Sequence, residues 1–229
     1  MTAAHSRRIL LIDTAQQDAV VAISERGAVT DNLTNPIQME HASFLHVAIE
    51  SLCRKHGLAL HDFDAIAVMN GPGSYTGLRV GLSAAKGICY ALNKPLICIN
   101  SLNWMAYGNL DKSNALICPM IDARRMEVFT ACFDGQMNLI IPHEARILEE
   151  QSFHEQLNAS PVVFVGNGAP KWQDVCRHPN ARFPEGKHSL HHFAEMADKQ
   201  FQSGLFENLA YIEPFYTKGF HSTIVAKTQ

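Results

Sequence analysis

The sequence predicts an α/β protein built from two related subdomains, and three observations carry that prediction. Short continuous apolar runs alternate with longer stretches of helical periodicity, the pattern of sheets covered by helices. The order strand-strand-strand-helix-strand-helix runs through the first half and again through the second. In each half the first strand closes on an aspartate, Leu11-Ile12-Asp13 and Met120-Ile121-Asp122, which marks equivalent points of a duplication. The polar break Asp111-Lys112-Ser113-Asn114 separates subdomains 1–110 and 111–229, each a mixed sheet with a three-strand meander and flanking helices, the aspartates at the mouth of a cleft between them.

Ile9-Leu10-Leu11-Ile12 is apolar on both faces and reads as a central strand. Ala19 to Ser24 is the next strand, and Glu25-Arg26-Gly27 turns into a third, Ala28 to Leu33. Pro36 is expected to open a helix running to Gly57, with Ile37, His41, Phe44, Leu45, Ala48 and Leu52 on one face. Strand 65–69, a glycine-rich turn, a helix to about Leu92 and strand Leu96 to Asn100 follow. Ser101 is the expected N-cap of a short helix ending near Gly108. In the second half, strands are expected at Ala115 to Ile121, Glu127 to Phe133 and, after an Asp134-Gly135 turn, Gln136 to Ile141. Helices at about 149–158 and 170–177 flank a strand from Val162 to Val165. Ser189 is expected to cap a last helix from Leu190 to about Ser203, striped by Phe193, Met196, Ala197 and Phe201.

With 229 residues, 47% hydrophobic and 18% charged, the chain can bury a sizeable core. A net charge of −3 argues against nucleic-acid binding by a broad basic surface. The six cysteines lack any CxxC spacing and sit in apolar segments, as buried thiols of a reducing compartment do. The N-terminus shows no long apolar leader, and no stretch reaches the ~18–20 apolar residues that span a bilayer. A cytoplasmic protein without membrane contact is expected.

The stretch NGPGSYTGLRVG, residues 70–81, looks first like a phosphate cradle. A Walker A loop needs a lysine after its last glycine, and Gly77 is followed by Leu78-Arg79. A dinucleotide fingerprint needs glycine at 76, where Thr76 stands. The tight turn uses Gly71, Pro72 and Gly73. Gly77, Gly81 and Ala85 then recur every fourth residue, beside a second row of Val80, Ala84, Gly87 and Ala91. A glycine inside a helix costs roughly 0.5–1 kcal/mol against alanine, so a bare ridge implies close approach of another backbone. That backbone is either this chain's own sheet and 36–56 helix or, on the preferred reading, a partner's.

GPGSYTGLRVG, the opening IDTA and the later DARRMEVF resemble the TsaB (YeaZ) family of the actin-like ATPase superfamily, whose fold is a duplicated ribonuclease-H-like unit. The likeness runs from Asp13 to Pro214-Phe215-Tyr216. It implies a non-catalytic scaffold and activator in tRNA N6-threonylcarbamoyladenosine modification, bound to the TsaD transferase with the ATPase TsaE. It also implies a homodimer when TsaD is absent, and tRNA contact only through the complex. The interface expected from the resemblance comprises His41, Leu45, Tyr75, Gly77, Leu78, Val80, Gly81, Ala84, Ala85 and Ile88.

The resemblance also shows what this chain lacks. The catalytic paralogue carries HxxxH on one helical face, whereas here Leu45 follows at that spacing and His46 lies about 100° round the helix. No metal is therefore expected at His41, and His188, His191 and His192 read as a solvated helix end. Active relatives surround the equivalents of Asp13 and Asp122 with glycines. Here TAQQD and ARR follow, without one. Asp13, Thr14, Gly73, Asp122, Gly166 and Gly168 thus outline a degenerate nucleotide cleft, with no cofactor of its own and ATP or ADP at most at the TsaD boundary. The alternative is an enzyme of the same superfamily, a small-molecule kinase, ATPase or peptidase, although HExxH and GxSxG are missing.

Overall fold

The computed structural model describes residues 7–110 and 114–217. In the first sheet β1 (Arg8–Asp13), β2 (Ala19–Glu25) and β3 (Ala28–Asn35) form the antiparallel meander. β4 (Ala65–Gly71) and β5 (Leu96–Asn100) extend it in parallel on the other side of β1, giving the order β3-β2-β1-β4-β5. The intervening helices are α1 (His41–His56) and α2 (Tyr75–Leu92), with α3 (Ser101–Tyr107) after β5.

The second sheet repeats the plan. β6 (Leu116–Asp122) is central, with β7 (Glu127–Phe133) and β8 (Leu139–Ile147) antiparallel on one side. β9 (Val162–Val165) and the two-residue β10 (Ala181–Arg182) lie parallel on the other, in the order β10-β9-β6-β7-β8. Ile12 pairs with Val21 and Val68 as Ile117 pairs with Phe133 and Val163, so the central strands share one pairing scheme. α4 (His154–Ala159), α5 (Ala169–Val175) and α6 (Leu190–Gln202) complete the chain's helices among the described residues.

The first sheet lies within residues 8–100 and the second within 116–182, and the last helices cross between them. Leu102, Met105 and Ala106 of α3 pack against Ile117, Ile121, Ala131 and Val165 of the second sheet. Phe193, Ala194 and Ala197 of α6 pack against Ile9, Leu11, Ala67 and Met69 of the first. The inter-subdomain break itself, residues 111–113, lies outside the described residues. After α6 the chain runs back over the first sheet, where Glu207 N–H donates to Leu96 O (2.9 Å) and Phe215 N–H to Asn70 O (2.7 Å).

Several boundaries differ from the sequence expectation, each for a local reason. The expected helix from Pro36 begins at His41, because Asn35 Oδ1 accepts the Ile37 N–H (2.7 Å) and holds the chain extended before a single 3-10 turn at Gln38–Glu40. It ends where expected, on Gly57 in the left-handed region (φ 63°). The cap of α3 is Asn100 rather than Ser101: its Oδ1 accepts the N–H groups of Leu102 (2.9 Å) and Asn103 (3.2 Å). β8 starts at Leu139, not Gln136, because Asp134 Oδ1 gathers the N–H groups of Gln136 (2.8 Å) and Asn138 (2.9 Å) into the turn. α4 and α5 are shorter than expected, and Ser189 Oγ meets His192 Nδ1 (3.0 Å) instead of capping a backbone amide.

Candidate functional site

The glycine-rich turn between β4 and α2 is fastened to the β1–β2 turn of the same chain. Ser74 N–H donates to Ala15 O (2.8 Å), and Thr14 Oγ–H donates to Gly77 O (2.6 Å). Ser74 caps α2, its Oγ accepting the Gly77 N–H (3.3 Å). A methyl group on Gly73 would collide with the Ala15 carbonyl, and one on Gly77 with the Thr14 carbonyl. Gly71 takes φ +116° and has room for no side chain under the Phe215 carbonyl, 2.7 Å from its ideal Cβ. The glycines therefore admit this chain's own backbone.

That geometry corrects the expected outward ridge. Gly77, Leu78, Gly81 and Ala85 are buried, and a Cβ on Gly81 would overlap Thr14 Oγ1 and come within 3.4 Å of Val68. Leu45 and His41 are buried too, with His41 Nδ1 3.4 Å from Thr14 O. Of the ten residues expected at the interface, Tyr75 is exposed, and Val80, Ala84 and Ile88 are half-buried. The outward faces of α1 and α2 add Phe44, Val47, Gly87 and Tyr90, which the interface expectation omitted. A Cβ on Gly87 would meet nothing within 4 Å among the described residues. The signal was present in the second small-residue row, Val80, Ala84, Gly87 and Ala91. Both rows are small, so spacing alone did not show which one faced the sheet.

A second concavity lies between the subdomains, a cleft of about 650 Å³ with Asp13, Asp18, Trp104, Phe164, Gly166, Asn167, Phe183, Glu185 and His188 among its walls. Asp13 closes β1 and is almost fully buried, with Oδ1 accepting the Ala15 N–H (2.8 Å). Burial pushes its carboxyl up to about 7, against the opposing pull of the Ala15 and Gln16 amides. Burial also lowers the His188 imidazole.

Of the expected cleft residues, the structure brings Asp13 and Gly166 to the walls. Thr14 and Gly73 belong to the clamp just described. Asp122 is turned aside: Lys171 Nζ reaches its Oδ1 (2.5 Å), and the Arg124 N–H donates to the same oxygen (2.5 Å). Burial acts to raise Asp122, but Lys171 and that amide outweigh it and hold the carboxyl below its ordinary value. Gly168 packs on β6, its N–H donating to Met120 O (3.0 Å).

The described wall residues carry three carboxylates, Asp13, Asp18 and Glu185, and no lysine or arginine. A nucleotide triphosphate would meet like charge there, with no cation to neutralise it. Nor do the cysteines offer a nucleophile: all six are buried and unpaired, and burial pushes the Cys89 and Cys98 thiols up to about 12.

Comparison with known proteins gives a consistent picture. The family described as "TsaD: tRNA N6-adenosine threonylcarbamoyltransferase" matches residues 35–222. The tRNA threonylcarbamoyladenosine biosynthesis protein TsaB of Escherichia coli K12 is 29% identical, over 92% of this chain and 94% of its own. The protein of that name from Bacillus subtilis 168 is 30% identical, over 69% of this chain and 70% of its own. The solved structure of YeaZ from Pseudomonas aeruginosa superposes with a TM-score of 0.75 at 24% identity, covering 92% of this chain and 99% of that one, a likeness of fold.

Proposed function

The chain belongs to the TsaB family and has its duplicated actin-like α/β fold, and from that premise we propose that it is a non-catalytic subunit of tRNA N6-threonylcarbamoyladenosine biosynthesis. It docks the TsaD transferase through the outer faces of α1 and α2. The observation that carries this reading is Gly87, an interior helical glycine with open space where its side chain would be. Among the described residues it has no packing reason, yet it weakens α2 by roughly 0.5–1 kcal/mol. Exposed Val47, Tyr75 and Tyr90, with half-buried Phe44, Val80, Ala84 and Ile88, supply apolar surface on the same two helices.

On this reading TsaE joins the assembly, and two copies pair through the same faces when TsaD is absent. The protein works in the cytoplasm, and tRNA is engaged within the complex. Any ATP or ADP is shared at the TsaD boundary.

Capture of purified TsaD by the immobilised chain tests the proposal. The wild-type chain is expected to retain TsaD, and Gly87→Arg to lose it while unfolding at no lower a temperature than the wild type. A wild-type chain that retains no TsaD under any nucleotide condition overturns the reading.

A further inference from the structure

The β6–β7 turn presents two arginines in a conformation that side chains rarely adopt. Arg124 has φ +70° and Arg125 φ +49°. Glycine, asparagine or aspartate usually occupies such positions, because a Cβ crowds the neighbouring carbonyl. The turn is well fastened: Ala123 N–H donates to Glu127 O (3.1 Å), Glu127 N–H to Arg124 O (3.1 Å), and Arg124 N–H to Asp122 Oδ1. Backbone strain held by its surroundings points to a requirement for the side chains themselves.

Both arginines are exposed, and neither guanidinium has a hydrogen-bond or ion-pair partner among the described residues. The adjacent carboxylate, Asp122, is already engaged by Lys171. The surroundings are not broadly basic, since Glu149 and Glu150 follow Leu148, whose N–H donates to Met126 O (2.7 Å). Such a turn supplies two point contacts to individual oxyanions rather than a continuous basic surface. Arginine's planar set of donors matches phosphate oxygens two at a time. The turn also lies on the second sheet, whereas α1 and α2 cover the first, so a partner docked on those helices occupies a different subdomain.

We propose that Arg124 and Arg125 form a fork that binds two backbone phosphates of the RNA substrate once the chain is assembled with its transferase partner. The inference rests on the function proposed above. It is compatible with the net charge of −3, because two contacts inside a larger complex require no basic surface.

The test uses the reconstituted complex of the full chain with TsaD, its affinity for unmodified tRNA being measured across a salt series. The variant is Arg124→Asn with Arg125→Asn, since asparagine tolerates the left-handed region and leaves the turn intact. Each phosphate contact contributes about 0.7–0.9 to the slope of log affinity against log salt. The double variant is therefore expected to lower that slope by about 1.5 and to weaken tRNA binding at least tenfold at low salt, while TsaD retention stays unchanged. An unchanged slope and affinity overturns the fork. Loss of TsaD instead of tRNA also overturns it, by assigning the arginines to protein carboxylates. A wild-type chain that fails to hold TsaD defeats the underlying reading first, and is distinguished because no variant is involved.

Discussion

Asp13 combines almost complete burial with an ionisable group whose partners among the described residues are the Ala15 and Gln16 backbone amides. Its folded carboxyl titrates near 7, against about 3.9 in an unfolded chain. The folded state therefore binds this proton more tightly. Stability from this group is fully present below about pH 4, is lost as pH rises from about 4 to 7, and stays low beyond. Asp13→Asn keeps an oxygen for the Ala15 N–H and removes the charge. It is expected to stabilise the isolated chain at pH 8, by up to about 4 kcal/mol if the whole shift is recovered, and to change little at pH 4. Urea unfolding at the two pH values measures this, and parallel pH profiles for wild type and variant would refute it. Asp13 was legible in the sequence because it closes an apolar strand. The fate of Asp122 was not, because the lysine that draws it away stands 49 residues downstream, and no local pattern announces such a pair.

On α2 the two kinds of glycine separate by what surrounds them. Gly81 has Thr14 Oγ1 where a Cβ would go, whereas Gly87 has empty space. Gly81→Ala must displace Thr14, whose hydroxyl donates to Gly77 O, and is expected to cost about 1–3 kcal/mol, as overpacking in a close-packed site does. Gly87→Ala is expected to stabilise the isolated chain by about 0.5–1 kcal/mol through helix propensity alone. Chemical denaturation of both variants decides the matter; shifts of the same sign would undo the assignment of faces. The existence, type and period of this helix were readable from residues 75–92. Its orientation was not, because rows of glycine and alanine run along both faces. What settles it is a tertiary fact: the β1–β2 turn reaches over the helix start and needs Gly73 and Gly77 bare.

Across the whole molecule, neither half closes its own core. α3 leaves the first sheet to cover the second, and α6 returns from the second subdomain to cover the first. The apolar stripe of α6 was visible in the sequence, but a stripe specifies a face and not the sheet it will meet. The return is fixed by Arg7, just before β1, which donates from Nε and Nη2 to the two oxygens of Asp198 (2.6 and 2.8 Å), while Gln202 Nε2 donates to the same carboxylate (2.6 Å). Asp198 is 6% exposed, so losing its charge would leave a partly buried guanidinium without its ion partner. Asp198→Asn is expected to destabilise the chain by about 1–3 kcal/mol, below the full cost of a deeply buried pair because Arg7 is partly solvated. The location of that loss is the informative part. Trp172 is fully buried in the second core, against Phe153 and Phe164, far along the chain from α6's contact with β1. In a Trp104→Phe background it is the sole tryptophan, and its fluorescence reports the second subdomain. If the exchanged helices make the two halves one cooperative unit, Asp198→Asn shifts the Trp172 transition and the circular-dichroism transition by the same amount. A Trp172 midpoint that stays in place while the helical signal melts earlier would mean that the subdomains unfold separately, despite sharing their last helices.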